Sequence, residues 1–296
     1  MTGAAAVAAS AALFGPARTA SAAATGAAAW ETVLDAGSLA DYQALEAGWN
    51  YLYPWGSDHN GSARMYGAAD DHNHISLSGG VLTLHASRIS WDEGTSSSSP
   101  HLPIHYHSGA VHAKHQVLIT SQFPNYEVRG EFQAPSAPGT WPAFWLTAVS
   151  GWPPESDILE FKGDARNWFN TFRTSSDVSS TIVNVPSPGS WHEYRAWITK
   201  VSDTDVEIHY YLDGTWQAVH RAAFVGKALW LICNLQMEGS SAPPARRAAR
   251  TTGCATRTSA APARNTRVRS APAGGREVAA RRPAGAGAKG SRVRTG

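Results

Sequence analysis

Short segments in which apolar and polar side chains alternate do most to limit the fold of this 296-residue chain. In residues 206–213 the apolar positions recur at every second residue, and an Asp-Gly turn follows. A period of two is typical of a β-strand with one buried face. Residues 50–240 show no helical periodicity of useful length, and the pattern predicts one large all-β domain over residues 30–240. Further strands are expected near residues 81–87, 107–119, 126–134, 141–148, 156–162, 193–200 and 228–237.

One predicted strand carries three carboxylates within six residues, namely Glu155, Asp157 and Glu160. Side chains on a strand alternate between its two faces, so Glu155 and Asp157 share one face and Glu160 falls on the other. One extra residue, a β-bulge near Ile158, returns Glu160 to the first face and leaves the neighbouring Leu and Phe for the core. The spacing therefore predicts a bulged strand with three carboxylates on one face.

Three carboxylates on one face cannot all ionise freely, because like charges at short range repel each other. We expect at least one pKa in the cluster to be raised, so that a protonated acid lies beside an ionised carboxylate near neutral pH. This combination is the one that glycosidases use. A solvated acidic edge and a calcium site are the alternatives, since carboxylate clusters occur in both.

The segments around these carboxylates follow one another in a recognisable order. They are Gly-Thr-Trp-Pro-Ala-Phe-Trp (139–145), Trp-His-Glu-Tyr-Arg-Ala-Trp (191–197) and Leu-Ile-Cys-Asn-Leu-Gln-Met (231–237). With the carboxylate motif, they resemble the landmarks of glycoside hydrolase family 16, which includes laminarinases, lichenases, agarases and carrageenases. The resemblance implies a concanavalin-like β-sandwich jelly roll with a concave carbohydrate-binding cleft, and retaining hydrolysis of internal β-linkages.

The resemblance also implies a role for each carboxylate. Carried over position by position, Glu155 corresponds to the nucleophile, Glu160 to the acid/base, and Asp157 to the residue that holds and tunes them. A retaining mechanism needs two carboxyl groups about 5–5.5 Å apart, whereas positions four strand steps apart have Cα atoms about 13 Å apart. The bulge and two inward-leaning side chains must therefore close that distance.

Four Trp residues near the carboxylates are candidates for contact with a sugar. Trp141 and Trp145 share one face of their strand. The alternating residues Phe144 and Leu146 share the other face. We expect the Trp pair to face the cleft, because in the family the Trp residues of this segment contact substrate. Trp152 and Trp168 flank the catalytic strand and fit substrate stacking and core packing equally well.

Twelve histidines raise the question of a metal site. His105 and His107 share a face of their predicted strand, but two ligands without a third do not make a site, so we predict no metal and no other cofactor. His112 is a candidate for a hydrogen bond to substrate, with an ordinary position on the strand surface as the alternative. We interpret Asn60 and Arg64 as parts of a solvated loop, with a loop at the edge of the cleft as the alternative.

The two ends of the chain differ from this domain in composition. Residues 1–29 are Ala-rich with an apolar run near their start, which predicts a secretory signal and a secreted protein, with a disordered leader as the alternative. Residues 241–296 hold 13 of the 25 Lys and Arg residues, one of the 23 acidic residues and no aromatic residue. Such a composition cannot bury a core, so we interpret this tail as disordered or out of frame, and expect the domain to lack its last strand. A basic arm for nucleic acid is the less favoured interpretation.

Three functions fit these patterns. The leading hypothesis is an endo-acting, retaining hydrolase of a β-1,3- or β-1,3-1,4-glucan, and the second is a galactan hydrolase of the agarase or carrageenase type. The third is a non-catalytic, lectin-like sandwich, which has no need of the carboxylates. Sulfated polymers call for Lys or Arg, and only Lys162, Arg166 and Arg173 lie near the motif, which favours a neutral polymer. We expect a monomer with a polysaccharide as its partner, without nucleic acid or membrane, and Cys233 as a buried thiol.

Overall fold

The computed structural model describes residues 31–239 and the strand at 254–259. The predicted signal segment and the remainder of the tail lie outside the described residues. Two short helices come first, a 3₁₀ helix at Ala36–Leu39 and the α-helix α1 at Tyr42–Gly48. Asp35 and Asp41 begin them by accepting hydrogen bonds from backbone N–H groups of the first turn. Neither helix of the described chain reaches the length and hydropathy that crossing a membrane requires.

The rest of the described chain is built from strands separated by turns and loops. In chain order they are β1 (Trp49–Tyr51), β2 (Ala63–Met65), β3 (Ile75–Ser78), β4 (Val81–Arg88), β5 (Tyr106–Ser108), β6 (Ala110–Ala113), β7 (Val117–Leu118), β8 (Asn125–Gln133), β9 (Thr140–Ala148), β10 (Glu155–Glu160), β11 (Arg166–Phe172), β12 (Val178–Asn184), β13 (His192–Lys200), β14 (Val206–Leu212), β15 (Thr215–Ala222), β16 (Ala228–Met237) and β17 (Cys254–Ser259).

These strands form two sheets that pack face to face. The first has the order β1-β6-β16-β9-β10-β11-β12, and the second has the order β15-β14-β13-β8-β17-β4-β5-β2. Aromatic rings fill the space between them. The ring centroids of Phe132 (β8) and Phe144 (β9) are 4.8 Å apart, and those of Phe169 (β11) and Tyr210 (β14) are 5.0 Å apart. Cys233 of β16 is a buried free thiol, as predicted. The predicted all-β sandwich is confirmed.

The predicted strands match observed ones except near residues 107–119. That segment is divided into β5, which belongs to the second sheet, and β6 and β7, which belong to the first. Gly109 lies where the chain crosses between the sheets, and a Cβ atom there would lie 2.3 Å from the carbonyl oxygen of His74. Only glycine allows this close approach of two backbones. The chain changes sheets at Gly109, and the predicted strand is therefore divided there.

The prediction that the domain lacks its last strand differs from the structure. β17 lies between β4 and β8 and pairs with both in antiparallel register. Backbone N–H and C=O groups supply the ladder of a sheet whatever the side chains are, so a biased composition does not exclude a segment from this position. A strand therefore occupies the place that the sequence analysis leaves empty.

Truncation tests the position of β17. Removing residues 254–296 leaves the facing edges of β4 and β8 unpaired, so we expect aggregation and a melting temperature lower by about 5 °C or more. Removing only residues 260–296 keeps β17 and serves as the matched control. Calorimetry and light scattering are the measurements. Equal stability and solubility of both truncated proteins and the full chain would instead show that the whole tail is separable, as its composition predicts.

Candidate active site

A β-bulge in β10 brings the three carboxylates onto one face. The pairing of β10 with β9 changes register between Asp157 and Leu159, which leaves Ile158 as the extra residue. Glu160 thereby joins Glu155 and Asp157 in the lining of one cleft, while Leu159 packs into the core. The predicted bulge is confirmed.

Asn167 of β11 stabilises this bulge and is fully buried. Its Oδ1 accepts a hydrogen bond of 2.9 Å from the backbone N–H of Glu160, and its Nδ2 donates one of 3.2 Å to the carbonyl oxygen of Ile158. An extra residue interrupts the ladder, so these backbone groups need partners elsewhere. One side-chain amide supplies both the acceptor and the donor.

Two Trp side chains orient the two Glu carboxyl groups. Trp152 Nε1 donates to Glu155 Oε2 at 2.8 Å, and Trp141 Nε1 donates to Glu160 Oε1 at 2.8 Å. Hydrogen bonds to a carboxylate are stronger than those between neutral groups, so each indole limits the rotation of its partner. The two carboxyl groups are therefore positioned before any substrate binds.

Asn170 of β11 links Glu160 with Asp157. Its Nδ2 donates to Glu160 Oε2 at 2.7 Å and to Asp157 Oδ2 at 3.0 Å. Ser180 donates to Asn170 Oδ1 at 2.6 Å, which turns the NH₂ group toward the carboxyl groups. Lys162 adds a salt bridge of 3.3 Å to Glu160 Oε2. Asp157 and Glu160 are only 5% and 6% exposed, which excludes the alternative of a solvated acidic edge.

Burial raises the pKa of all three carboxyl groups. Removal from water raises the pKa of Glu155 to about 7, with the charge of Glu160 as a smaller cause. The pKa of Asp157 lies well above its usual range because of burial and then of the two Glu charges. Burial also raises the pKa of Glu160, against the opposing charge of Lys162. The predicted increase is confirmed, but burial contributes more to it than the repulsion between carboxylates.

These raised pKa values make the stability of the fold depend on pH. A buried acid binds its proton more tightly in the folded than in the unfolded state, so the contribution of these three groups to the free energy of unfolding is fully present below about pH 4. That contribution is lost as the pH rises through the folded-state pKa values, which for Glu155 is about 7. Asp157→Asn removes one such acid and weakens the repulsion on the other two. We therefore expect the decrease between about pH 4.5 and about pH 8 to be smaller by on the order of 1–3 kcal/mol.

Denaturant unfolding at the two pH values measures this difference. Asp203→Asn is the matched control, because the Asp203 side chain is fully exposed and lies far from the cleft in the turn between β13 and β14. A pH dependence of Asp157→Asn equal to that of the unmodified protein would contradict the account.

The cleft has a volume of about 780 Å³ and is bounded by strands on one side and loops on the other. On the strand side, Trp145 Nε1 donates to Asn234 Oδ1 at 2.8 Å. On the loop side, Trp55 and the ring of His59 lie beside Trp145, with the His59 ring stacked at 5.7 Å. Burial lowers the pKa of His59 to about 4, so this ring is neutral at working pH. The backbone segment 98–99 completes the loop side.

Three of the predicted substrate-binding residues line the cleft. Trp141 and Trp145 are mostly buried in its wall, and Trp152 is 51% exposed at its edge. Trp168 does not line the cleft, because its ring lies under the side chain of Lys162, whose Nζ is 4.6 Å from the ring centroid. Lys162 contacts both the Trp168 ring and Glu160, so the Trp168 ring acts on the carboxyl group through this side chain.

His112 also lies outside the cleft lining. Its Nδ1 donates to the carbonyl oxygen of Leu52 at 2.9 Å, its Nε2 accepts from Asn50 at 3.1 Å, and its ring packs on Trp230 at 5.3 Å. Burial lowers the pKa of His112, in keeping with the neutral ring. Both ring nitrogens are used within the fold, so the predicted hydrogen bond to substrate has no nitrogen left.

The prediction of a solvated loop for Asn60 and Arg64 is wrong. Asn60 lines the cleft, and Arg64 forms salt bridges of 2.8 Å with Asp58 and 2.9 Å with Glu93. Asp58 in turn accepts a hydrogen bond from the backbone N–H of Ser97, next to the segment that bounds the cleft. The contacts join residues 58–64 with residues 93–97, and a local pattern cannot show contacts between such separate segments.

Comparison with known proteins places this site among carbohydrate-active enzymes. No family model matches the chain. The chain is 50% identical over 216 residues to a galactan endo-β-1,3-galactanase of Flammulina velutipes, and the alignment covers 72% of this chain and 83% of that protein. An identity this high over most of both chains is enough to assign a shared family.

Solved structures show the same fold. The endo-1,3-β-glucanase of Streptomyces sioyaensis superposes with a TM-score of 0.58 at 18% identity, over 82% of this chain and 96% of that one. SCLam, a non-specific endo-β-1,3(4)-glucanase from family GH16, superposes with a TM-score of 0.52 at 16% identity, over 75% and 83% of the two chains. At these identities the likeness concerns the fold alone.

Proposed function

Because the chain belongs to glycoside hydrolase family 16, we propose that it is an endo-acting, retaining hydrolase of a neutral β-1,3-galactan. One observation carries the proposal. The bulge at Ile158 places Glu155 and Glu160 in the same cleft, each held by a Trp indole. Two oriented carboxyl groups on one side of a substrate cleft are what a retaining glycosidase requires.

We propose Glu155 as the nucleophile and Glu160 as the acid/base. Ionised Glu155 attacks the anomeric carbon while protonated Glu160 gives its proton to the departing glycosidic oxygen, which breaks the C–O bond and forms a glycosyl ester. Glu160, now ionised, then takes a proton from the water that hydrolyses the ester. The raised pKa values of the two Glu residues support a proton held within the cluster near neutral pH, and the order of the residues in the family motif assigns that proton to Glu160.

Asp157 serves both Glu residues without reacting itself. Burial and the two Glu charges raise its pKa well above the usual range, which favours its neutral form and reduces the negative charge in the cleft. The shared Asn170 amide connects it with Glu160.

The choice of galactan rests on the similarity to an endo-β-1,3-galactanase. The sequence patterns favour a glucan over a galactan as substrate, whereas the 50% identical endo-β-1,3-galactanase favours a galactan. The glucanases of similar fold are only 16–18% identical, so they do not bear on the sugar. Endo-acting hydrolysis of a β-linked polysaccharide is common to both hypotheses.

The charges around the cleft favour a neutral polymer. Lys162, Arg166 and Arg173 each form a salt bridge with a neighbouring carboxylate. A sulfated sugar would have to displace one of those carboxylates, and the ionised carboxylate of the cleft repels added negative charge. A galactan without sulfate is therefore the better match.

A panel of β-1,3-galactan, laminarin, lichenan and agarose tests the proposal. We expect the highest kcat/KM on β-1,3-galactan, with a series of oligosaccharides as early products because an endo-acting enzyme cuts internal bonds. Chromatography of timed samples resolves the product lengths. Faster hydrolysis of laminarin or lichenan, or galactose as the sole early product, would contradict the proposal.

We also propose that the enzyme acts as a secreted monomer. The proposed acid/base and nucleophile lie on one strand, so the chemistry asks for no residue from a second subunit. A polysaccharide is too large to enter a cell, so its hydrolase has to meet it outside. Size-exclusion chromatography with light scattering and N-terminal sequencing of the exported protein test these two points.

A further inference from the structure

Lys162 lies two residues after the acid/base Glu160 and has no role in the mechanism described so far. Its ammonium group lies 3.3 Å from Glu160 Oε2, and its side chain is 20% exposed in the lining of the cleft. Among the described residues, Lys162 is the one positively charged side chain within salt-bridge distance of the Glu160 carboxylate. Glu160 itself is 6% exposed, so water screens this charge pair far less than a surface pair.

Trp168 holds Lys162 in that place. The Lys162 Nζ atom lies 4.6 Å from the centroid of the Trp168 ring, within the range of a cation–π interaction. The indole Nε1 of Trp168 is buried and lacks a hydrogen-bond partner among the described residues, so packing and the cation orient the ring. The ammonium group is thus fixed between an aromatic face and a carboxylate.

Arg166 approaches the same ring but differs in its charge partner. Its guanidinium carbon lies 5.9 Å from the Trp168 centroid, and it forms a salt bridge of 2.6 Å with Asp164 at the surface. The two cations share the Trp168 ring, but only Lys162 contacts Glu160 in the described part of the chain. This difference makes Arg166 a matched control for Lys162.

We propose that Lys162 is a positioning residue for Glu160. Its ammonium group orients the Glu160 carboxyl group and favours the ionised form, and the Trp168 ring holds the ammonium group in place. The inference deepens the proposed function and rests on the assignment of Glu160 as the acid/base. In the first step Glu160 must be protonated, and in the second it must be ionised. Lys162 favours the second of these states and so limits the activity at high pH.

The other groups that face Glu160 either oppose or favour the ionisation of its carboxyl group. Glu155 and Asp157 on the same strand carry or can carry negative charge and oppose its ionisation. Trp141 from β9 and Asn170 from β11 donate hydrogen bonds that favour the carboxylate, and neither is charged. Lys162 is the positive charge in this set and is an opposing influence on the raised pKa of Glu160.

Lys162→Met keeps the unbranched side chain, one heavy atom shorter, and removes its charge. In a Glu155→Ser background, which does not turn over substrate, we expect NMR titration of the labelled Glu160 carboxyl to give a pKa higher by about 1 unit or more. In the active enzyme, we expect the descending limb of the kcat/KM profile to move to higher pH by a similar amount. Trp168→Leu should move both in the same direction by less, and Lys162→Arg should restore them.

Arg166→Met is the control and should leave both readouts unchanged. An unchanged Glu160 titration in folded Lys162→Met would overturn the proposal, as would an equal shift in Arg166→Met. A shifted titration with an unmoved pH profile would support the contact between Lys162 and Glu160 and would reject Glu160 as the acid/base. The NMR readout needs no turnover, so a failure of this inference is distinguishable from a failure of the proposed function.

Discussion

Glu155→Ser is expected to abolish hydrolysis of both polysaccharide and activated aryl β-glycosides, with a loss of about 10⁴-fold or more in kcat. The serine hydroxyl lacks the carboxylate that forms the glycosyl ester, so the first step fails whatever the leaving group is. Steady-state kinetics on both substrate types measure the loss. Circular dichroism confirms the fold, which should be retained because the Glu155 side chain is partly exposed.

Glu160→Ala should behave differently with the two substrate types. An aryl leaving group needs little protonation, so the first step should remain measurable on that substrate while polysaccharide hydrolysis is lost. Added azide should attack the glycosyl ester and give a β-glycosyl azide, since it needs no base. A β-glycosyl azide from Glu155→Ser in place of Glu160→Ala would mean that the two assignments are reversed.

Asn167→Leu should lower both stability and activity. It leaves the N–H of Glu160 and the C=O of Ile158 without their partners in a buried site, which costs about 2–6 kcal/mol in the free energy of unfolding. Glu160 is then no longer held in its place, and a misplaced acid/base should lower kcat/KM about 100-fold. Asn184→Leu, at an exposed position of the neighbouring β12, is the control and should have little effect.

Deletion of Ile158 makes the account of Asn167 more specific. Without the extra residue, β10 has a regular alternation that keeps Glu160 on the cleft face and pairs its backbone in the ladder. Asn167→Leu should therefore cost less in the deletion variant than in the full-length strand, which a double-mutant cycle measures. Additive effects of the two changes would show that Asn167 acts independently of the bulge.

The parts of the site that follow from periodicity were predictable from the sequence. A strand alternates its faces by geometry, so five steps from Glu155 to Glu160 require a bulge if both are to serve one cleft. The same arithmetic places Trp141 and Trp145 in the cleft wall with Phe144 in the core. These predictions need only one strand and no knowledge of its neighbours.

The partners of the carboxylates were not predictable, because they depend on pairing between strands. Asn167 and Asn170 act on Glu160 through the register of β11 against β10, which no pattern in a single strand contains. His112 is a residue that was predicted to bind substrate and does not line the cleft. Its strand was predicted, but its neighbours across the sheet occupy both ring nitrogens.

The tail shows what amino-acid composition cannot predict about strand pairing. Residues 241–296 lack aromatic side chains, which argues against a core contribution, and yet β17 fills a gap between two strands through its backbone. Side-chain statistics describe burial and say little about ladder hydrogen bonds. The truncation pair separates these two contributions.

The anomeric form of the first product tests the central claim most directly. Hydrolysis of β-1,3-galactan is followed by ¹H NMR from the first seconds, before mutarotation mixes the anomers. Two carboxyl groups acting through a glycosyl ester predict that the β-anomer of the new reducing ends appears first and that the α-anomer follows only by mutarotation. An α-anomer as the first product would contradict the assignment of Glu155 as a nucleophile, and the absence of any new reducing ends would contradict the proposed substrate.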